Sequence, residues 1–423
     1  MVFVKIGLFT DTYHPSSNGV VYVVDIIYDN LKSMGHDVTI IAPRPGLRSR
    51  HGKQLKNRHI LWVPAIKGLF FDEYLTSVFS PTLTVKKIDK LQLDLVYLFT
   101  PAQMGLLGAY YAKTNNLALV EQYSTDLVAY IKQYPSVIFG VLALIFVAIF
   151  SINIKLKDMA SITTKLIGIN KTKDLNWSQN NTKQLLKIFH NNMDLVIAVS
   201  SKVQKQLLKD GVTTRVEVIP TGVDPLLSES KKENVFRKKW NINSGDLVIL
   251  YAGRLSVEKN LDLLLESFCK IAADYSNIKL FFVGDFNYRK KLEEKALLSA
   301  FADRIVFTGR VHRDNLAVVY GVADIFAFPS LTDTQALVLN EAAAAGLPIV
   351  WCDKDVNSVV LEGRNGLLAK PNVKSFSECL EKLIKDQKLR QKYGEYSQQN
   401  ACKFNEKNMS DILSKSLQNL IEH

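Results

Sequence analysis

Four polar side chains in the second half of the chain could together bind a phosphorylated ligand that carries hydroxyl groups. Arg254 and Lys259 directly follow an apolar, strand-like run. Their cationic groups can neutralise a diphosphate, arginine through forked hydrogen bonds and lysine as a point charge. Asp333 and Glu341 follow a second such run. Ionised carboxylates accept hydrogen bonds from the paired hydroxyl groups of a sugar or a ribose. The alternatives are a surface cluster for the cations and a helix N-cap for Asp333, and the second is compatible with binding.

Three glycines mark places where the backbone could approach such a ligand closely. Gly253 precedes Arg254, Gly284 lies in FVGD (residues 282–285), and Gly19 precedes a helix that we predict to begin near Val20. At Gly19 the absence of a Cβ permits close approach, and the helix N-terminus presents free N–H groups to an anion. A βα turn could also require Gly19 for its geometry alone.

Alternating strand-like and helical segments must position these residues. The strand-like runs are residues 4–9, 38–42, 94–98, 117–121, 194–199 and 216–219, and then 247–252, 279–283, 304–307, 324–327 and 348–350. Alternation of this kind is typical of parallel, doubly wound sheets, whose ligands bind at the carboxyl ends of the strands. The pattern predicts two Rossmann-like domains of α/β class, residues 1–227 and 228–395, and a helical tail, residues 396–423, that packs across their junction.

Composition excludes several classes of protein. The 423 residues are 47% apolar and 22% charged, as in an ordered globular protein. The four cysteines are far apart, which argues against a zinc site or a disulfide framework and favours a reducing cytoplasm. The N-terminal apolar run meets Asp11 without a basic region or a cleavage site, so we interpret it as a first strand.

No metal site is expected. Asp353, Lys354 and Asp355 match a D-x-D metal motif by letter, but such tripeptides are common by chance and this one follows a late strand. His14 and His312 are isolated in the sequence, so neither is assigned to a metal.

Two segments suggest contact with an anionic surface. The formal charge is +12, and residues 44–58 are basic without an acid, which fits either a solvated loop or a membrane-surface contact. Residues 137–154 (VIFGVLALIFVAIFSINI) are uncharged and flanked by lysines. They are either a fully buried core helix or a segment that dips into or lies on a membrane. Topology argues against a single crossing, because the predicted strands 117–121 and 194–199 on both sides of it should lie in one sheet.

A family resemblance follows from several motifs in a fixed order. They are FTDTYHPSSNGV (9–20), DLVIAVS (194–200), VIPTGVD (218–224), GRLSVEKN (253–260), FVGD (282–285), VADIFAFPS (322–330), the Asp333 and Glu341 pair, and EAAAAGLPIV (341–350). Together they resemble glycosyltransferase family 4, the large group of retaining enzymes with the GT-B fold. The resemblance covers nearly the whole chain.

The resemblance implies a nucleotide-sugar donor bound by the second domain and an acceptor bound by the first. By this carry-over Arg254 and Lys259 bind the diphosphate, Glu341 holds the ribose hydroxyls, Asp333 contacts the donor sugar and Gly19 approaches the phosphates. Enzymes of this group work without a protein nucleophile, and the leaving phosphate takes the acceptor proton. Catalysis then rests on charge stabilisation and orientation. No cofactor is implied.

Three positions depart from the family pattern. The family usually has Glu where this chain has Asp333, and often has Gly where this chain has Ala336, whose Cβ narrows the space beside the donor. Ser124 occupies the position of an expected histidine. Ser124 and nearby Asp126 are the candidates for the acceptor side, with Asp126 able to assist the acceptor.

The sequence therefore predicts a retaining hexosyltransferase that moves a sugar, with glucose expected, from a UDP-sugar to a membrane lipid. The overall likeness to diacylglycerol glucosyltransferases points to diacylglycerol as the acceptor. The expected location is cytoplasmic, with peripheral or monotopic association with the anionic inner face of the cell membrane, and no nucleic acid is expected as a partner. Two alternatives stay open: a transferase acting on a lipid-linked saccharide or polysaccharide intermediate, and a catalytically silent partner of an active transferase.

Overall fold

The computed structural model describes residues 3–16, 18–44, 57–67, 75–77, 81–124, 175–225 and 229–422. Contacts divide the chain into two compact units, Met1–Pro220 with Ser410–His423, and Thr221–Met409. The second unit thus begins a few residues before the predicted boundary at 227. The predicted tail, residues 396–423, is divided between the two units.

The first unit is built on a parallel sheet of seven strands. In chain order its elements are β1 (Lys5–Phe9), α1 (Gly19–Ser33), β2 (Asp37–Pro43), β3 (Ile60–Val63), β4 (Ala65–Lys67), β5 (Leu75–Ser77), α2 (Pro81–Asp89), β6 (Leu95–Leu98), α3 (Gln103–Asn115), β7 (Ala118–Tyr123), α4 (Leu175–His190), β8 (Leu195–Ala198), α5 (Ser201–Lys209) and β9 (Val216–Val218). The strand order is β3-β2-β1-β6-β7-β8-β9, and β4 and β5 form a separate antiparallel pair.

The second unit contains a parallel sheet of six strands. Its elements are α6 (Ser230–Lys239), β10 (Leu247–Ala252), α7 (Leu261–Ala272), β11 (Ile278–Val283), α8 (Arg289–Leu297), β12 (Ile305–Gly309), α9 (Leu316–Gly321), β13 (Ile325–Phe328), α10 (Leu337–Ala344), β14 (Ile349–Trp351), β15 (Gly366–Leu368), α11 (Val373–Lys385) and α12 (Gln387–Ala401). A last helix, α13 (Glu406–Ile421), begins in this unit and ends in the first. The order is β12-β11-β10-β13-β14-β15.

Both sheets confirm the predicted α/β architecture of two Rossmann-like units. Their strands are almost continuously apolar and buried, because helices cover both faces of a parallel sheet. In the second unit the direction of winding reverses between β10 and β13, which are paired neighbours. Ligands of such sheets bind at the carboxyl edge beside this switch point.

Several predicted features lie outside the described residues: the apolar segment 137–154, most of the basic stretch 44–58, and Asp126. Among helices in the described ranges, none has the length and apolar character needed to cross a bilayer.

Candidate functional site

The carboxyl edge of the second sheet carries the four predicted polar residues. Arg254 and Lys259 follow β10, and Asp333 follows the neighbouring strand β13. Glu341 lies on α10, the helix after that strand. The switch point thus places residues from two distant parts of the sequence in adjacent loops.

Lys259 and Asp333 are in direct contact. The Lys259 Nζ atom lies 2.5 Å from Oδ1 of Asp333, and the two side chains are only 11% and 16% exposed. The hydroxyl of Ser330 donates to the other oxygen of Asp333. A carboxylate with these partners is fixed in orientation. Asp333 is not an N-cap, since Ala336 occupies that position of α10 and provides no side-chain hydrogen bond.

Arg254 is more accessible than Lys259. Its side chain is 42% exposed, its Nη2 lies 3.9 Å from Oε1 of Glu258, and its guanidinium lies 5.3 Å from the centre of the Phe286 ring. The hydroxyl of Tyr251 donates to the Arg254 carbonyl over 3.1 Å. Burial raises the pKa of Tyr251 well above its ordinary value; Asp333 and Glu258 raise it further and Arg254 lowers it. The strand end, both carboxylates and the arginine thus form one electrostatic cluster.

Glu341 is a buried carboxyl with two partners. Its Oε2 accepts a hydrogen bond of 2.6 Å from the Tyr320 hydroxyl, and its Oε1 lies 3.8 Å from Nη1 of Arg313. Burial raises the pKa of Glu341, while the Tyr320 hydrogen bond and the Arg313 charge oppose that rise. These two neighbours therefore favour the ionised form, which accepts hydrogen bonds from hydroxyl groups.

The loop between Asp333 and α10 is held by side-chain amides. The Gln335 amide exchanges two hydrogen bonds with the backbone of Thr221, of 3.0 and 2.8 Å. Asn357 Nδ2 donates to the Gln335 carbonyl over 2.7 Å. Ala336 then adopts a left-handed conformation with φ of 54°. Ala336 provides no side-chain cap to α10, and the Leu339 N–H is bonded to the Ala336 carbonyl over 2.9 Å. The N–H groups of Leu337 and Val338 are therefore the candidates for binding an anion.

Gly253 and Gly284 are explained by backbone packing. Both adopt positive φ, 144° and 139°. A Cβ on Gly284 would lie 1.9 Å from the carbonyl oxygen of Gly253, so only glycine fits there. The two glycines allow the ends of β10 and β11 to approach each other closely at this edge of the sheet. Their predicted role in ligand binding stays a prediction.

Gly19 and Ser124, the predicted residues of the first unit that the structure describes, lie at the end of a helix and of a strand in that unit. Gly19 is the first residue of α1, and a Cβ there would meet no atom within 4 Å. The helix is capped by Asn18, whose Oδ1 accepts from the Val21 N–H over 3.1 Å. Ser124 directly follows β7. The roles of Gly19 at the phosphates and of Ser124 on the acceptor side stay predictions.

The sequence did not single out Tyr320, Arg313, Ser330, Asn357 or the buried pair of His190 and Glu121. In that pair Nδ1 of His190 lies 2.6 Å from Oε2 of Glu121. Ser330 ends the motif VADIFAFPS but was given no role, although its partner Asp333 is only three residues away. No motif marks the others, because each acts through a partner distant in sequence. Among the described residues, no group of three or more His, Cys, Asp or Glu side chains could hold a metal ion.

Two family sequence models match this chain. The family described as Glycosyltransferase Family 4 matches residues 17–151 and 167–226, and the one described as Glycosyl transferases group 1 matches residues 232–400. The chain is a family 4 glycosyltransferase. The two matches confirm the family that the motifs indicated, and the protein is accordingly a hexosyltransferase.

Curated relatives share about a quarter of their residues with this glycosyltransferase. The alpha-monoglucosyldiacylglycerol synthase of Streptococcus pneumoniae is 27% identical over 82% of this chain and 70% of that protein. The synthase of the same name from Acholeplasma laidlawii is 26% identical, covering 87% of this chain and 85% of that protein.

Solved structures share the fold of the glycosyltransferase. HepE of Anabaena, in complex with UDP and glucose, superposes with a TM-score of 0.70 at 16% identity, covering 98% of this chain and all of that one. WaaG, described as a glycosyltransferase involved in lipopolysaccharide biosynthesis, gives 0.68 at 14% identity, with 97% and 99% coverage. Both comparisons confirm the GT-B fold.

Proposed function

We propose that this glycosyltransferase moves a hexose, glucose, from a UDP-sugar to a membrane lipid such as diacylglycerol, with retention of anomeric configuration. The observation that carries the proposal is the meeting of Lys259, Asp333 and the uncapped N-terminus of α10 at the switch point. This edge combines positive charge for a diphosphate with a fixed carboxylate for sugar hydroxyls.

Each donor-site residue has a distinct role in the proposal. Arg254, Lys259 and the first N–H groups of α10 bind the diphosphate and stabilise the charge that develops as it leaves. Asp333 accepts hydrogen bonds from the sugar, and Glu341 accepts them from the ribose. In the first unit, Gly19 lets the backbone approach the phosphates.

The reaction needs no protein nucleophile in this scheme. The bond between the anomeric carbon and the diphosphate oxygen breaks, and a bond from that carbon to the acceptor oxygen forms on the same face. The acceptor proton goes to the departing phosphate. The site supplies charge stabilisation and orientation, which together account for large rate factors. Asp126 and Ser124 are candidates for orienting the acceptor.

The donor and acceptor assignments draw support from the relatives. Two of them are named alpha-monoglucosyldiacylglycerol synthases, and the fold neighbour HepE is described with UDP and glucose. The net charge of +12, the basic stretch 44–58 and the apolar segment 137–154 support attachment to an anionic membrane at its cytoplasmic face.

Product analysis tests donor and acceptor together. The purified full chain is incubated with UDP-glucose, UDP-galactose, UDP-N-acetylglucosamine or GDP-mannose and with vesicles that contain diacylglycerol. We expect a monoglucosyl lipid from UDP-glucose alone. Glu341→Ala should abolish donor binding, while the control Lys295→Ala should not, because Lys295 pairs with Asp262 on an exposed part of the same unit. No binding of any nucleotide sugar would overturn the enzyme assignment.

A second acceptor class is tested in the same assay. A lipopolysaccharide 1,2-N-acetylglucosaminetransferase of Salmonella typhimurium is 30% identical over 42% of this chain and 50% of that protein. A lipid-linked saccharide is therefore added in parallel with diacylglycerol. Transfer to the saccharide alone would replace the proposed acceptor and leave the donor assignment intact.

A further inference from the structure

The two oxygens of the Glu341 carboxylate have different surroundings. Oε2 accepts the Tyr320 hydroxyl over 2.6 Å. Oε1 accepts no hydrogen bond from any residue within the described part of the chain, and Nη1 of Arg313 lies 3.8 Å away, beyond hydrogen-bond distance. One oxygen is thus committed within the protein, and the other remains an acceptor for a ligand.

Tyr320 is rigidly placed. Its side chain is 1% exposed, and its ring lies 5.9 Å from that of Phe326, centre to centre, on the neighbouring strand β13. A buried phenol hydroxyl needs an acceptor, and Glu341 supplies it. The sheet therefore determines where this hydroxyl lies, and the hydroxyl determines where the carboxylate lies.

We propose that Tyr320 is a positioning residue that directs Oε1 of Glu341 to the ribose hydroxyls of a nucleoside diphosphate, with Arg313 as the balancing charge. The inference rests on the proposed function, in which Glu341 meets the ribose.

The physical reason lies in the freedom of a glutamate side chain. The terminal torsion of Glu is broad and roughly two-fold, so a carboxylate without a fixed partner rotates. Without the Tyr320 hydroxyl, Oε2 would be buried and unsatisfied, and the carboxylate would turn to share its remaining contacts. Arg313 is 41% exposed and offers one such contact. Oε1 would then no longer be reserved for the ligand.

The test compares UDP with 2′,3′-dideoxy-UDP, which lacks both ribose hydroxyls, in binding to the full chain by calorimetry. We expect Tyr320→Phe to weaken UDP binding about tenfold, the equivalent of one hydrogen bond to a charged group. Binding of the dideoxy analogue should change less than twofold. The matched control is Tyr288→Phe, because the Tyr288 hydroxyl also donates to a carboxylate, that of Asp262, over 2.6 Å in the same unit. This control should bind both nucleotides as the wild type does.

A second variant tests the inference if Tyr320→Phe does not fold. Arg313→Gln removes a half-exposed charge and should also weaken UDP binding, by about threefold, without affecting the dideoxy analogue. Equal weakening of both nucleotides in either variant, or unchanged UDP binding in Tyr320→Phe, would overturn the inference while the proposed function survives. A wild-type protein that does not bind UDP would overturn both.

Discussion

Lys259 and Asp333 form an ion pair of 2.5 Å between the loops that follow two neighbouring strands of the second unit. They are 74 positions apart in sequence. The proposed diphosphate contact and the proposed sugar contact are therefore one coupled pair. A donor bound here would either take the place of Asp333 as the partner of Lys259 or share Lys259 with Asp333.

Removal of one partner of this pair should be as harmful as removal of both. Lys259→Ala removes the Lys259 charge from the mostly buried carboxylate of Asp333 and removes a group that is proposed to stabilise the leaving diphosphate. We expect kcat/KM to fall by roughly 10²–10³, the range for loss of one preorganised donor. Steady-state kinetics with the donor varied measures it.

The double variant Lys259→Ala/Asp333→Ala should fall by a similar factor, since interacting residues are not additive. The control is Lys295→Ala, whose 2.7 Å pair with Asp262 lies outside the site. Additive losses in the double variant would contradict coupling between the two residues.

Gly284→Ala should prevent the normal approach of β10 and β11. The added Cβ would lie 1.9 Å from the Gly253 carbonyl oxygen, and the φ of 139° disfavours any L side chain. We expect the free energy of unfolding to fall by roughly 3 kcal/mol or more, as for severe overpacking with backbone strain. Thermal unfolding measures the loss. Gly245→Ala is the control, because its Cβ would meet no atom within 4 Å; equal stability of the two variants would refute the packing argument.

Ala336→Gly should stabilise the second unit slightly. Ala336 adopts a φ of 54°, which costs an alanine about 1–2 kcal/mol and a glycine almost nothing. The greater freedom of glycine in the unfolded chain offsets roughly 0.4–1 kcal/mol of that gain. The expected net increase in the free energy of unfolding is about 0.5–1 kcal/mol, measured by urea denaturation. Ala344→Gly, within right-handed α10, should show the opposite sign; destabilisation by both would show that Ala336 is not strained.

Asp11 should make the first unit less stable as the pH rises from 4 to 6. Burial raises the pKa of this carboxyl from 3.8 to about 6, although Thr100 and the Met104 N–H donate to it. The folded protein therefore holds a proton that the unfolded chain releases, so the contribution of Asp11 to stability is fully present below pH 4 and is lost as the carboxyl ionises. A pKa difference of one is worth about 1.4 kcal/mol, so the loss approaches roughly 3 kcal/mol by pH 7.

Asp11→Asn should lack this dependence, because an amide keeps an acceptor for the Met104 N–H and does not titrate. The measurement is the difference in free energy of unfolding between variant and wild type at pH 4, 5, 6 and 7. A difference that is independent of pH would exclude the raised pKa.

Periodicity and composition were sufficient to predict the two sheets. Every strand-like run lies within a residue or two of an observed strand, since long buried strands are apolar throughout. Strands β3, β4, β5 and β15 were missed. They are three or four residues long, as are β9 and β14, which were predicted, so length alone does not explain the difference. Pairing with neighbouring strands defines the four.

The site was predictable only in part. The motifs predicted Arg254, Lys259, Asp333 and Glu341, and the structure places them at one edge of the second sheet. Their roles in binding stay predictions. The contact between Lys259 and Asp333 depends on which strands are neighbours, and the contact of Tyr320 with Glu341 depends on how α9 and α10 lie in the folded unit. The sequence allowed Asp333 to be either a ligand contact or the N-cap of the following helix. The structure shows that Ala336 is that N-cap.

The path of the last helix has a consequence for synthesis. The first unit contains residues from both ends of this chain, and the second unit is inserted between them. In α13 the Ser416 hydroxyl donates to Glu217, which lies on β9 at the edge of the first sheet. On the ribosome, the second unit has all of its residues once residue 409 has emerged. The first unit, although it begins earlier, acquires this helix only after residue 421 has emerged.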